Sequence, residues 1–363
     1  MRPEAVAAMA PFLSERFANP SGAHVAARQA RRAVDDARDV VAECLGCRPG
    51  EVVFTGSGTE ADNLAVLGPV RRAGGGAGRA VGSAIEHHAV LHCVEHLDGR
   101  VVGVDATGTV DLDALVPALD PGVVVVTVML ANNEVGTVQP LAEVVALVRQ
   151  HAPSAVVHTD AVQAFAWLDV AALAADCDLV AVSAHKFGGP KGVGALVVRA
   201  GVELEPLVFG GGQERDRRSG THNVAGIAAM AEAIRATVCE RDATEARVRA
   251  LRDRLVDGLV TSVEACTETV PRSRKVAGNA HVCIEGVESE ALLYLLEREG
   301  VLAAAGSSCA SGAMEPSHVL TAMGVPKERA LGAVRLSLGV TTTEADVERA
   351  LAVVPPAVAR LRG

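Results

Sequence analysis

The sequence predicts an α/β protein, with a large domain built on a mixed, mostly parallel sheet and a smaller α+β domain after it. Three observations carry this expectation. From Glu51 onward, short β-branched runs alternate with helical patterns: Val52–Phe54, Ala80–Ala84, Val101–Val104, Val123–Met129, Ala155–Thr159, Leu179–Ser183 and Gly194–Val198. Such alternation marks parallel strands joined by covering helices. The last two runs are linked through Phe187-Gly188-Gly189-Pro190-Lys191-Gly192, too short for a crossover helix, so they are expected to form an antiparallel hairpin at the sheet edge. A long helical stretch from about Asn223 to Leu259 then separates these runs from strands near Ala280–Ile284 and Ala333–Ser337. Placing the boundary near Glu245 gives domains of 1–245 and 246–363.

No strand run precedes Glu51. Glu4 to Phe17 reads as one helix, Asn19-Pro20-Ser21-Gly22 breaks it, and His24 to Leu45 reads as a second. Cys44 and Cys47 form a CxxC at the end of that second helix, where the dipole disfavours a thiolate. No second CxxC exists to complete a zinc site. The eight cysteines are expected as reduced thiols, and no metal site is expected.

A net charge of −10 argues against a nucleic-acid partner, which needs a basic face. The longest apolar run, Val123 to Ala131, is under half of the roughly 20 residues that span a bilayer. The N-terminus has no basic segment followed by an apolar stretch. A cytoplasmic protein without membrane contact is the expectation.

The chemistry-bearing residues gather after strands, where ligands bind in open α/β sheets. Thr55-Gly56-Ser57-Gly58-Thr59-Glu60 follows the first run and opens a helix, a pattern that offers backbone amides to a phosphate. It also satisfies a G-x-G-x-x-A dinucleotide fingerprint, but the acidic residue that reading wants is represented only by Glu86, which comes late. A plain tight turn is the third reading. His87 follows the second run, Asn132-Asn133-Glu134 the fourth, and Asp160 the fifth. Gln163 lies three residues on, at an expected helix start. Asp160 can hold a cationic ring nitrogen protonated, or simply cap that helix. Ser183-Ala184-His185-Lys186 follows the sixth run, where a lysine beside a serine and a histidine is placed to form an imine while its neighbours hold a phosphate.

The segments FTGSGTEADN, EHHAV, NNEVG, HTDAVQA, SAHKFGGPKG, GGGQERDRRSGTHN and GSSCASGAMEPSHVL, in this order, resemble the cysteine desulfurases of the class V aminotransferase family. The resemblance runs over essentially the whole chain. It implies the type I fold of pyridoxal-phosphate-dependent transferases. Lys186 resembles the lysine that carries pyridoxal 5'-phosphate, Asp160 the partner of the ring nitrogen, and His87 the imidazole stacked on the ring. Gln163 matches the position that binds the ring oxygen. Gly58, Thr59, Ser183 and His185 match phosphate-binding positions, and Thr221 matches a phosphate contact supplied by the neighbouring subunit of a homodimer. Asn133, counted with the cofactor positions as well, and Arg335 match positions that hold the substrate carboxylate, with Asn19 beside the substrate. Cys309 corresponds to the cysteine that accepts sulfur, in a loop poor in anchoring side chains, as in the iron–sulfur and nitrogenase-type branch.

The implied activity converts L-cysteine to L-alanine and leaves a persulfide on Cys309 for a sulfur acceptor protein, in iron–sulfur assembly or thiolation. Family members usually begin with a strand-like segment ending in Ala-Thr-Thr-Pro, and this chain starts just after that point. A selenocysteine lyase, another class V enzyme, or a sulfur-trafficking scaffold with weak turnover are the alternative expectations.

Overall fold

The computed structural model describes residues 1–76, 78–306 and 316–363. Seven strands, β1 (Val52–Thr55), β2 (Ala80–Ser83), β3 (Arg100–Val102), β4 (Val125–Thr127), β5 (Val156–Asp160), β6 (Leu179–Ser183) and β7 (Gly194–Val198), form one sheet in the order β1-β7-β6-β5-β4-β2-β3. The pairs from β2 through β6 are parallel. Strand β7 runs antiparallel to both β6 and β1. All residues of β1, β6 and β7 are buried, which is why these strands read as continuous apolar runs without alternation.

The hairpin of β6 and β7 is therefore not the edge that its short connection suggested. Strand β1 pairs outside it, with Val52 opposite Val197 and Thr55 opposite Gly194. Two antiparallel steps in succession leave β1 parallel to β6. The end of β1 thus reaches the same sheet edge as the ends of β2, β5 and β6.

Val53 of β1, Ala61, Leu64 and Ala65 of the helix Gly58–Arg72, Leu179 and Ala181 of β6, and Leu196 and Val198 of β7 make one buried cluster. This packing seats the helix that carries the Gly58 loop. Truncating Leu64, which is 1% exposed, to alanine would cost about 2–5 kcal/mol.

Some local expectations are corrected. The opening helix is α-helical only over Pro3–Met9 and continues as a 3-10 turn over Ala10–Leu13, because Pro11 has no N–H to extend the ladder. The second helix, Val25–Cys44, starts at His24, whose Nδ1 accepts from the Ala27 N–H at 3.2 Å. Residues after Asp160 form turns instead of a helix, and the next helix is the short Val170–Leu173.

Two compact units make up the chain. The first comprises Met1–Val102, Leu112–Leu130 and Pro140–Arg241; the second comprises Gly103–Asp111, Ala131–Gln139 and Asp242–Gly363. The division at Arg241 and Asp242 and the expected boundary near 245 both fall within the helix Val224–Ser262. The second unit holds an antiparallel sheet of β8 (Cys266–Glu268), β9 (Asn279–Ile284) and β10 (Ala333–Ser337), ordered β10-β9-β8. Strand β8 is too short for its pattern to show in the sequence.

Candidate active site

The loop after β1 is built from backbone amides. Ser57 caps the helix Gly58–Arg72, accepting from the Glu60 N–H at 3.1 Å, and Glu60 Oε2 accepts from the Gly56 N–H at 2.8 Å. Gly58 N–H donates to Ser183 Oγ at 3.3 Å, and Ser183 Oγ shares a 2.9 Å hydrogen bond with His185 Nδ1. A Cβ at Gly58 would stand 3.0 Å from Ser183 Cβ and 3.1 Å from Val162, so glycine is what lets the helix start approach the ends of β5 and β6. Burial, with the charges of Lys186 and Lys191, holds the His185 imidazole below its usual pKa range. A helix start, a hydroxyl and an imidazole converging in this way suit a phosphate group.

Beside this loop lies a buried electrostatic centre. Asp160 ends β5, and its Oδ1 accepts from the Val162 N–H at 2.8 Å, an Asx turn and not a helix cap. Burial pushes the Asp160 carboxyl up to about 6, against the pull of that N–H and of the Lys186 charge. Asp62 is fully buried, and burial together with the charges of Asp160 and Glu86 raises it well above the carboxylate range. Glu86 is raised by burial and by Asp160, although it accepts from the Met129 N–H at 2.8 Å. His158 Nδ1 is 2.8 Å from Thr127 Oγ1, its Nε2 is 3.6 Å from Asp62 Oδ1, and burial lowers its pKa to about 3. Asp160 has the Lys186 cation acting on it and is the carboxyl best placed to ionise against a cationic ring.

Asp62 and His158 were missed from the sequence as members of this centre. Their signal was a lone acid in the apolar stretch Ala61 to Val70 of a buried helix, and a histidine inside the buried strand β5.

His87 caps the helix His88–His96 and accepts from the Ala89 N–H on Nδ1 at 3.1 Å, which places the proton of a neutral ring on Nε2. It lines a cavity of about 490 Å³ together with Thr59, Asn63, His88 and His92. Gln163 lies half-buried in the turn after Asp160.

The segment 210–223 follows an unusual path. Glu214, Arg215 and Asp216 have φ of 52°, 58° and 63°, a left-handed turn of three non-glycine residues. Each such residue costs roughly 1–2 kcal/mol, so the surroundings must enforce the turn. Glu214 does so: its carboxylate accepts from Arg38 Nη2 at 2.6 Å and Nη1 at 2.8 Å, from the Phe54 N–H at 2.9 Å, and bonds His222 Nε2 at 2.6 Å. Arg218 in turn donates to Glu60 Oε1 at 2.6 Å, tying this segment to the Gly58 loop. Thr221 is exposed. Asn19 is also exposed, in a turn where its Oδ1 accepts from the Ser21 N–H at 2.9 Å.

In the second unit, Arg335 on β10 donates to the Asn133 carbonyl at 2.8 Å. Its Nε is buried with no hydrogen-bond partner among the described residues, and burial lowers its pKa while the Glu134 charge opposes this. An unfilled guanidinium donor suits a ligand carboxylate. Ser317 donates to Glu134. Cys309 lies in 307–315, outside the described residues. Cys44 and Cys47 are thiols pushed up to about 11, chiefly by burial, the opposite of an activated thiolate. No helix among the described residues is long and apolar enough to cross a membrane.

The pattern that defines aminotransferase class-V matches residues 1–350. The chain is 44% identical to an IscS-like cysteine desulfurase of Mycobacterium tuberculosis, over all of this chain and 94% of that protein. It is 40% identical to a cysteine desulfurase IscS of Methanosarcina thermophila, over all of this chain and 90% of that one. A solved NifS-like protein superposes with a TM-score of 0.92 at 33% identity, covering 99% of this chain and 96% of the other. The fold is that of the type I pyridoxal-phosphate-dependent transferases, and the chain belongs to the class V aminotransferase family.

Proposed function

We propose that this chain is a pyridoxal-phosphate-dependent cysteine desulfurase that converts L-cysteine to L-alanine and passes the sulfur through Cys309 to an acceptor protein. The observation that carries this reading is full-length similarity, at 44% identity, to a relative of that name.

The residues present fit the cofactor. Gly58, Thr59, Ser183 and His185 would hold its phosphate, His87 and Gln163 its ring, Asp160 its ring nitrogen, and Lys186 its aldehyde carbon. When bound, pyridoxal phosphate supplies a sink for the electron pair left at the substrate α-carbon. Lys186 removes the α-proton there and returns a proton at the end. Arg335 and Asn133 orient the substrate through its carboxylate, with Asn19 beside it. The Cys309 thiolate attacks the substrate sulfur, so the carbon–sulfur bond breaks as the new sulfur–sulfur bond forms. Alanine leaves and the persulfide stays on Cys309 for an acceptor in iron–sulfur assembly or thiolation. The working form is a cytoplasmic homodimer in which Thr221 reaches the neighbouring subunit's phosphate.

The test is the visible spectrum of the purified protein before and after L-cysteine, with alanine quantified. Cys309→Ser is expected to retain the cofactor's absorbance and lose alanine formation. Undiminished alanine production by that variant would overturn the role of Cys309.

A further inference from the structure

We infer that Glu214 is a positioning residue that acts through His222 to hold Thr221 ready for the cofactor phosphate. This rests on the functional reading above, and adds to it the device that aims the threonine.

Thr221 is exposed, yet both of its chain neighbours are tied. Gly220, at φ 115°, donates its N–H to the Gln213 side chain at 2.8 Å. On the other side, His222 Nε2 meets Glu214 Oε1 at 2.6 Å. The Gly212 N–H adds a bond to Ser219 Oγ at 3.3 Å. The stretch 212–222 is thus closed on itself by three side-chain contacts, and Thr221 sits at its mouth.

Glu214 is the keystone because it also anchors this closed stretch to the body of the unit. Its side chain is 1% exposed, and it grips Arg38 with both oxygens while taking the N–H of Phe54 on β1. Arg38 in turn donates to the Val52 carbonyl at 2.7 Å and stacks over the Phe54 ring. The left-handed backbone at Glu214, Arg215 and Asp216 is what turns the carboxylate back toward both β1 and His222. A loop needing only to connect β7 to the long helix has no use for so costly a path. One that must present a threonine at a fixed angle does.

Removing Glu214 strands Arg38 in the interior, so the test is made at His222, whose side chain is 16% exposed. His222→Ala deletes the bond to Glu214, and His222→Gln keeps an N–H donor near the Nε2 position. Equilibrium binding of pyridoxal phosphate, and of pyridoxal without its phosphate, is measured for wild type, T221A, H222A, H222Q and T221A/H222A. T221A and H222A are each expected to weaken pyridoxal phosphate binding about tenfold. Because the two residues act as one unit, the double variant is expected to be no weaker than either single one. H222Q is expected to return to within about twofold of wild type, and pyridoxal binding to stay unchanged throughout.

Wild-type affinity in H222A, additive losses in the double variant, or an equal loss for pyridoxal would each overturn this inference while leaving the functional reading intact. A wild-type protein that takes up no pyridoxal phosphate and forms no alanine would overturn both.

Discussion

Asp62 Oδ1 lies 3.6 Å from His158 Nε2, and burial works against the charged form of both groups. The two have opposite consequences for stability. Asp62 has a raised folded pKa, so stability is fullest below its ordinary value of 3.8 and falls as pH rises, because the unfolded chain ionises first. His158 is lowered from 6.5 to about 3, so its contribution is complete above 6.5 and is lost as pH falls toward 3. Asp62→Asn is therefore expected to raise the stability of the cofactor-free protein at pH 8, where the unfolded aspartate is ionised and the buried one resists ionisation. Little change is expected at pH 4. Urea unfolding at the two pH values checks this, and a loss of stability at pH 8 would contradict it.

As the proposed partner of the cofactor ring nitrogen, Asp160 is expected to set a pH limit on cofactor binding. With burial holding its carboxyl at about 6 before any cationic ring is bound, it is ionised above that value and protonated below. Pyridoxal phosphate affinity is expected to fall as pH drops through about 6. Asp160→Asn should bind weakly at every pH, with no inflection at that point. Equilibrium binding between pH 5 and pH 8 distinguishes the two profiles.

Arg38 and Glu214 form a buried, two-pronged ion pair. Arg38→Leu leaves the Glu214 carboxylate without its main partner and is expected to destabilise the protein by about 3–5 kcal/mol. Glu214 is lowered from 4.5 to about 2, with burial opposing and the bonds from Arg38 and His222 prevailing. Its contribution is present above 4.5 and is lost as pH falls toward 2. In acid unfolding, the variant should lack the part of the transition that wild type shows in that window.

Lys186→Ala is expected to lower alanine formation by about 10²–10⁴-fold, the usual contribution of a positioned base. The residues proposed to hold the phosphate remain, so the variant should still bind pyridoxal phosphate, but in a form that dialysis removes. Cofactor that survives denaturation on this variant would place the covalent link on another residue.

How much could be read in advance depended on whether a signal was local. The runs of β1, β6 and β7 were legible because strands buried on both faces need uninterrupted apolar residues. The pairing of β1 outside β7 was not, because nothing in Val52–Thr55 records which strand lies beside it. Around the candidate site, Lys186, Asp160 and His87 stood out in the sequence as polar residues following apolar strand runs. Asp62 and His158 did not, since their importance lies in burial against Asp160 and Glu86, a matter of three dimensions. Glu214 was hidden more deeply still, in a loop whose backbone conformation no side-chain pattern reveals.

The place of β1 in the sheet also governs how the chain can be made. Val52 must wait for Val197, so the strand that leads into the Gly58 loop has no strand partner until some 145 residues later in the chain. At a synthesis rate of roughly 5–20 residues per second, this strand spends about 7–30 seconds on the ribosome before that partner is made. Contacts of such long sequence separation form slowly. The proposed phosphate cradle at Gly58 is thus expected to form late in the assembly of its unit, with pyridoxal phosphate joining a chain whose parallel core has already condensed.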